Sequence, residues 1–128
     1  MEKDFKKWHV KKSRVDKIEK RPFFHEREIW FCHLGANVGF EEDGKGEEFL
    51  RPAVVIRKFN KEICWVVPLT KTDKNTKYYF RFSFDQEISV AILSQIRLLD
   101  ARRFSHKIGG ISEADFKTLK QKLKALLP

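Results

Sequence analysis

Cysteine is scarce in this chain: Cys32 and Cys64 are the two it has in 128 residues. Neither belongs to a Cys-x-x-Cys pair, and no cysteine–histidine spacing suits zinc, so a zinc finger or ribbon is excluded. Both lie in apolar stretches, which reads as two buried free thiols in a reducing compartment. His9, His25, His33 and His106 are scattered and share no ligand spacing, so no metal or other cofactor is expected. Glycine is sparse too, and Gly44-Lys45-Gly46 lacks the strand–helix context of a phosphate loop. No serine or cysteine stands in a nucleophile elbow. No apolar run approaches the roughly 18 residues of a membrane span, and the charged N-terminus does not have the form of a signal peptide. A cytoplasmic protein without membrane contact is the expectation.

What is present is basic and aromatic. The formal net charge is +9, so polyanions are natural partners: a nucleic acid, an acidic protein or an anionic surface. Charge alone does not choose among them. A hydrophobic fraction of 41% in 128 residues supplies one domain with a core.

The pattern is organised around Leu50 to Arg57. Ala53-Val54-Val55-Ile56 is a run of apolar residues, three of them β-branched, as in a strand buried on both faces. Pro52 cannot donate a backbone hydrogen bond, which places it first in that strand. Arg51 then falls at the rim, where its guanidinium needs a carboxylate, a phosphate or water.

Residues 1–25 read as a basic extension, with Phe5, Trp8, Val15 and Ile18 on one face of a helix over about residues 3–19 that Pro22 stops. That helix is either docked on the domain or a basic arm. Residues 26–128 form the domain proper. Glu28 to Leu34 reads as its first strand. Gly35 to Phe49 is a long loop carrying Glu41, Glu42, Asp43, Glu47 and Glu48. The central strand runs to about Phe59 and returns as a hairpin through Ile63 to Thr70. Tyr78 to Phe84 and Ile88 to Leu93 are further strands, with Ile96 to Leu99 continuing the latter. A helical turn at Asp100 to Phe104 and a short strand at Lys107-Ile108 follow. Ser112 to Leu127 is a capped amphipathic helix with Phe116, Leu119, Leu123 and Leu126 on one face. Short strands with tight hairpins and one closing helix predict an α+β fold built on a small, partly open barrel.

Polar residues collect at the predicted strand ends: Arg51, Thr70 with Lys71 beside it, Ser94, Gln95 and Arg97. Arginine, hydroxyl and amide groups on one barrel face suit a single strand's phosphate. At this point the chain resembles a known family. Glu28-Ile29-Trp30, Gly39-Phe40-Glu41, Arg51-Pro52-Ala53-Val54-Val55, Pro68-Leu69-Thr70 and Gln95 to Asp100 occur in the order seen in MazF/PemK-type toxins, and the match runs on through Arg103, Ile108-Gly109 and the last helix.

The resemblance implies an SH3-like barrel of the CcdB/MazF type. It also implies a homodimer, a cognate acidic antitoxin, and metal-independent cleavage of single-stranded RNA to a 2′,3′-cyclic phosphate and a 5′-hydroxyl. Arg51 and Thr70 match the family's catalytic arginine and threonine, and Glu41 a loop glutamate implicated in activity. Gln95 matches a residue near the RNA, and the other strand-end residues, Arg97, Lys71 and Ser94, together with Phe40 of the matched Gly39-Phe40-Glu41 segment, are further positions expected to contact RNA. Chemistry agrees: a fixed guanidinium and a hydroxyl donor stabilise charge that builds on a phosphorane. Arginine stays protonated to about pH 12, which leaves the base for the 2′-proton open between Glu41 and Arg51. The loop is longer than the family's, Ser94 stands where some members carry an acid, and the segment before Glu26 has no counterpart in short members. The alternative is a non-catalytic module on the same barrel that binds nucleic acid or a protein such as gyrase.

Overall fold

A computed structural model of the protein describes residues 21–35 and 50–128. The expected helix over residues 3–19, and Phe40 and Glu41 with most of the acidic loop, lie outside the described residues. The described elements are β1 (Glu28–His33), β2 (Leu50–Lys58), β3 (Ile63–Thr70), β4 (Tyr79–Phe84), β5 (Glu87–Ile92), a 3₁₀ turn (Leu93–Gln95), β6 (Arg97–Asp100), a second 3₁₀ turn (Ala101–Arg103), β7 (Phe104–Gly110) and helix α1 (Glu113–Ala125).

The run Ala53 to Ile56 is buried throughout, as its composition demands. Its side chains alternate between two cores. Val54 and Ile56 join Ile29, Val67, Leu69, Phe82 and the helix residues Phe116 and Leu119. Ala53 and Val55 join Trp30, Cys32, Cys64, Val66 and Phe104 on the other side. Phe24, before β1, is fully buried in that second core and meets Phe104 edge-on at 5.3 Å between ring centres. Helix α1 is capped by Ser112, whose Oγ accepts from the Asp115 N–H at 3.1 Å.

Pro52 is the third residue of β2 and not its first. The ladder from β2 to β3 begins at Ala53, paired with Pro68, so at Pro52 the ladder partner is Phe31 of β1 alone. A residue without an N–H fits where the ladder on one side has ended.

β3 serves three strands. One side pairs with β2, while the other pairs with β6 from Ile63 to Val66 and with β5 at Leu69 and Thr70. The chain passes from β5 to β6 through the turn at Leu93–Gln95, closed by the Ile96 N–H on the Leu93 carbonyl. Ile96 to Leu99 therefore does not continue the preceding strand. The apolar run spans two strands because both pack on β3. β7 is also longer than Lys107-Ile108, reaching from Phe104 to Gly110 along β1.

The strands run in the order β4-β5-β3-β2-β1-β7, and no ladder joins β4 to β7 among the described residues, so the expected barrel is not closed. A phenyl ring fills the seam instead. Phe84 of β4 packs so closely on Gly109 of β7 that a Cβ there would fall 2.7 Å from the ring. Gly109 also has φ +154°, a backbone that L side chains rarely adopt.

Glu28 fastens the start of β1. Its carboxylate accepts from the His25 N–H at 2.8 Å and Trp30 Nε1 at 3.0 Å, and lies 3.3 Å from Lys107 Nζ. Burial pushes its pKa up, but the bonds from Trp30, His25 and Lys107 outweigh this and hold it below the usual carboxylate value. Asp100 does the same for the second 3₁₀ turn, accepting from Arg21 and from the Arg102 N–H. Its pKa is likewise lowered, burial being outweighed by those bonds.

Candidate functional site

β2 and β3 lie antiparallel, with Ala53 opposite Pro68. Followed two residues further, that register sets Arg51 across from Thr70. Thr70 ends its strand because its Oγ1 accepts the Thr72 N–H at 3.2 Å, a local bond that competes with the ladder. Arg51 is 5% exposed, and its Nη2 donates to the Leu69 carbonyl at 3.2 Å. The expected rim arginine is thus an interior one, anchored on the neighbouring strand's backbone at the edge of a cavity.

That cavity is a cleft of about 990 Å³. Arg51, Thr70, Lys71 and Thr72 line one side, and Phe84, Asp85, Glu87 and Ser89 of the β4–β5 hairpin line another. Phe31, Leu50, Pro52, Leu69 and Ile108 supply apolar surface. Lys71 Nζ is 3.0 Å from Glu87 Oε2, an exposed ion pair at the opening. The cleft is therefore mixed in charge although the chain is strongly basic. The hairpin that brings Asp85 and Glu87 here turns in two residues. Asp85 and Gln86 both have positive φ, 53° and 63°, the backbone of a type I′ turn without its usual glycine.

The structure thus brings Arg51, Thr70 and Lys71 together. Ser94, Gln95 and Arg97 do not line this cleft. Ser94 is exposed and Gln95 half-buried on the 3₁₀ turn. Arg97 is exposed on β6, with Nη1 3.5 Å from the Leu34 carbonyl. Phe40 and Glu41 lie outside the described residues. The reading of strand ends missed Phe84, Asp85 and Glu87, whose signal was a hairpin of alternating residues around a tight polar turn. Among the described residues no three His, Cys, Asp or Glu side chains gather as a metal-ligand set. None of the described helices is long and apolar enough to cross a membrane.

What the cleft can do follows from its donors. A buried guanidinium, a hydroxyl and an ammonium face one space, an arrangement suited to an oxyanion or phosphate.

Solved structures share this fold. The toxin MazF-mt6 of Mycobacterium tuberculosis aligns with a TM-score of 0.59 at 13% identity over 77% of this chain and 94% of its own. An endoribonuclease from a mycobacterial species, solved in complex with its cognate antitoxin, aligns with a TM-score of 0.65 at 14% identity over 83% and 98%. MazF of Deinococcus radiodurans aligns with a TM-score of 0.60 at 16% identity over 84% and 97%. Likeness at such identities is likeness of fold. None of the curated proteins matches the chain significantly. The model of a family described as PemK-like, MazF-like toxin of type II toxin–antitoxin system matches residues 25–127, and the chain belongs to that family.

Proposed function

We propose that this protein is a toxin endoribonuclease that cuts single-stranded RNA in the cytoplasm and is silenced by an acidic antitoxin. The observation that carries the reading is the meeting of Arg51 and Thr70 at facing strand ends, with Lys71 beside them, in one open cleft. A phosphate placed there receives the guanidinium and the hydroxyl. The 2′-oxygen attacks phosphorus, the bond from phosphorus to the 5′-oxygen breaks, and a 2′,3′-cyclic phosphate forms. The 2′-proton leaves to a base and the 5′-oxygen gains a proton, so atoms and charge balance. Arg51 and Thr70 stabilise the charge on the non-bridging oxygens, and no metal takes part in the scheme. Glu41 and Arg51 remain the two choices for the base.

The fold's occurrence in an endoribonuclease solved with its antitoxin supports an antitoxin as the partner. We assign the same cleft to the antitoxin's flexible acidic segment, which then competes with RNA. Two copies pair through the apolar strip of Trp65 and Leu98, which face each other across β3 and β6 and are 42% and 56% exposed, with Phe59 edge-on to Trp65 at 5.0 Å.

Incubating the pure protein with a long single-stranded RNA, with and without EDTA, tests the reading. Discrete EDTA-resistant cuts ending in a cyclic phosphate support it. Binding without cleavage favours the non-catalytic module, for which the absence of an acid at Ser94 speaks.

A further inference from the structure

One wall of the cleft plays no part in the cleavage scheme. Phe31 and Phe84 face the cavity, and neither ring is loose. Phe31 stacks on His106, with ring centres 5.0 Å apart and planes at 26°. Phe84 is pinned on Gly109. Held aromatic rings are platforms on which bases stack, and stacking by itself does not tell bases apart. Discrimination needs polar groups at the base edge.

The polar groups on that wall are Asp85, Glu87 and Ser89. Glu87 is engaged by Lys71 at 3.0 Å. The Asp85 carboxylate is exposed and, among the described residues, has no hydrogen-bonding or ionic partner. Asp85 also sits in a positive-φ turn, a conformation that aspartate adopts more readily than most residues with a Cβ. That turn sets the carboxylate at the cleft lip. A carboxylate only accepts, and it accepts two parallel bonds. Among RNA bases, guanine presents two adjacent donors on its Watson–Crick edge, N1–H and the 2-amino group. Adenine, cytosine and uracil each present a single donor group there.

We propose that the cleft holds a guanine base of the RNA, stacked on Phe31 and Phe84, with its Watson–Crick edge read by Asp85, while the adjoining phosphate lies toward Arg51 and Thr70. The proposal rests on the endoribonuclease reading of the same cleft and assigns it one letter of specificity.

The test reads binding and not cleavage, so it separates from that reading. Fluorescent oligouridylates carrying 2′-deoxynucleotides, and therefore uncleavable, receive one central guanine, hypoxanthine or adenine. The wild-type chain is expected to bind the guanine strand about 10- to 100-fold more tightly than the adenine strand, with hypoxanthine, which lacks the 2-amino group, between them. Asp85→Asn keeps the shape, tolerates positive φ and presents a donor in place of an acceptor. It is expected to bind all three strands alike, at the adenine level. Equal wild-type affinity for the three strands, or a guanine preference retained by a folded Asp85→Asn protein, overturns the proposal. Absence of RNA cleavage by the wild-type chain would overturn the endoribonuclease reading alone.

Discussion

Replacing Arg51 by alanine separates catalysis from folding, because its burial and its bond to the Leu69 carbonyl set a modest folding cost against a large catalytic one. The guanidinium is buried and donates to the Leu69 carbonyl, so truncation leaves a buried acceptor short of a bond. Such a loss costs about 1–3 kcal/mol. Small domains are stable by about 5–15 kcal/mol. Taking the worst pairing, about 2 kcal/mol remains and roughly thirty folded molecules stand for each unfolded one. Unfolding then lowers the rate by only a few per cent. Removal of one preorganised transition-state donor lowers it by about 10²–10³-fold. The two effects differ by more than a factor of ten and are measured separately, by urea denaturation and by initial rates on a quenched-fluorophore RNA. Arg51→Lys is expected to recover the stability more than the rate, because an ammonium cannot offer the planar fork. A folded Arg51→Ala protein cutting RNA within about threefold of wild type would refute the assignment of Arg51 to the transition state.

Other perturbations probe the frame. The Glu28 carboxylate has a lowered folded pKa, so its contribution is present above the unfolded value of about 4.3 and lost as pH falls through the folded value; the urea midpoint should drop in that window, and Glu28→Gln should flatten the drop. Burial raises the thiol of Cys64 to about 12 and that of Cys32 further, so a thiol reagent at pH 8 should leave both unmodified in the native protein and titrate two in urea. Gly109→Ala should destabilise by about 1–3 kcal/mol through its clash with Phe84, and Phe84→Leu should relieve part of that cost in a double-mutant cycle. Leu98→Glu should convert the proposed homodimer to monomers by light scattering while the far-ultraviolet circular dichroism stays unchanged, since Leu98 is exposed in the single chain.

Residue order carried much of the frame and less of the cleft. Ala53 to Ile56 announced a strand buried on both faces because no polar residue interrupts it. Ser112 and the spacing of Phe116 and Leu119 announced the last helix. The break at Leu93–Gln95 was hidden because it contains neither glycine nor proline and lies within an apolar run. β7 was hidden because Ser105, His106 and Lys107 are exposed on an end strand, where no core enforces an apolar alternation. In the site, Arg51 and Thr70 stood out as polar residues bounding apolar strands. The depth of Arg51 did not, since it depends on the Leu69 carbonyl 18 positions away. Asp85 and Glu87 reach the cleft only through the pairing of β5 with β3, a relation that local sequence does not express.

The alternation of Ala53, Val54, Val55 and Ile56 between two cores has a mechanical consequence. A strand that is a wall to two compartments cannot loosen one of them without disturbing the other. The amides of Val54 and Val55 should therefore exchange with solvent only when the whole domain opens, and the two compartments should melt in one transition. Arg51 extends from the end of that wall and inherits its stiffness. On the proposed reading of the cleft, a restraint that fills the opening and leaves the frame as it stands is expected to silence the protein more readily than one that has to bend this edge.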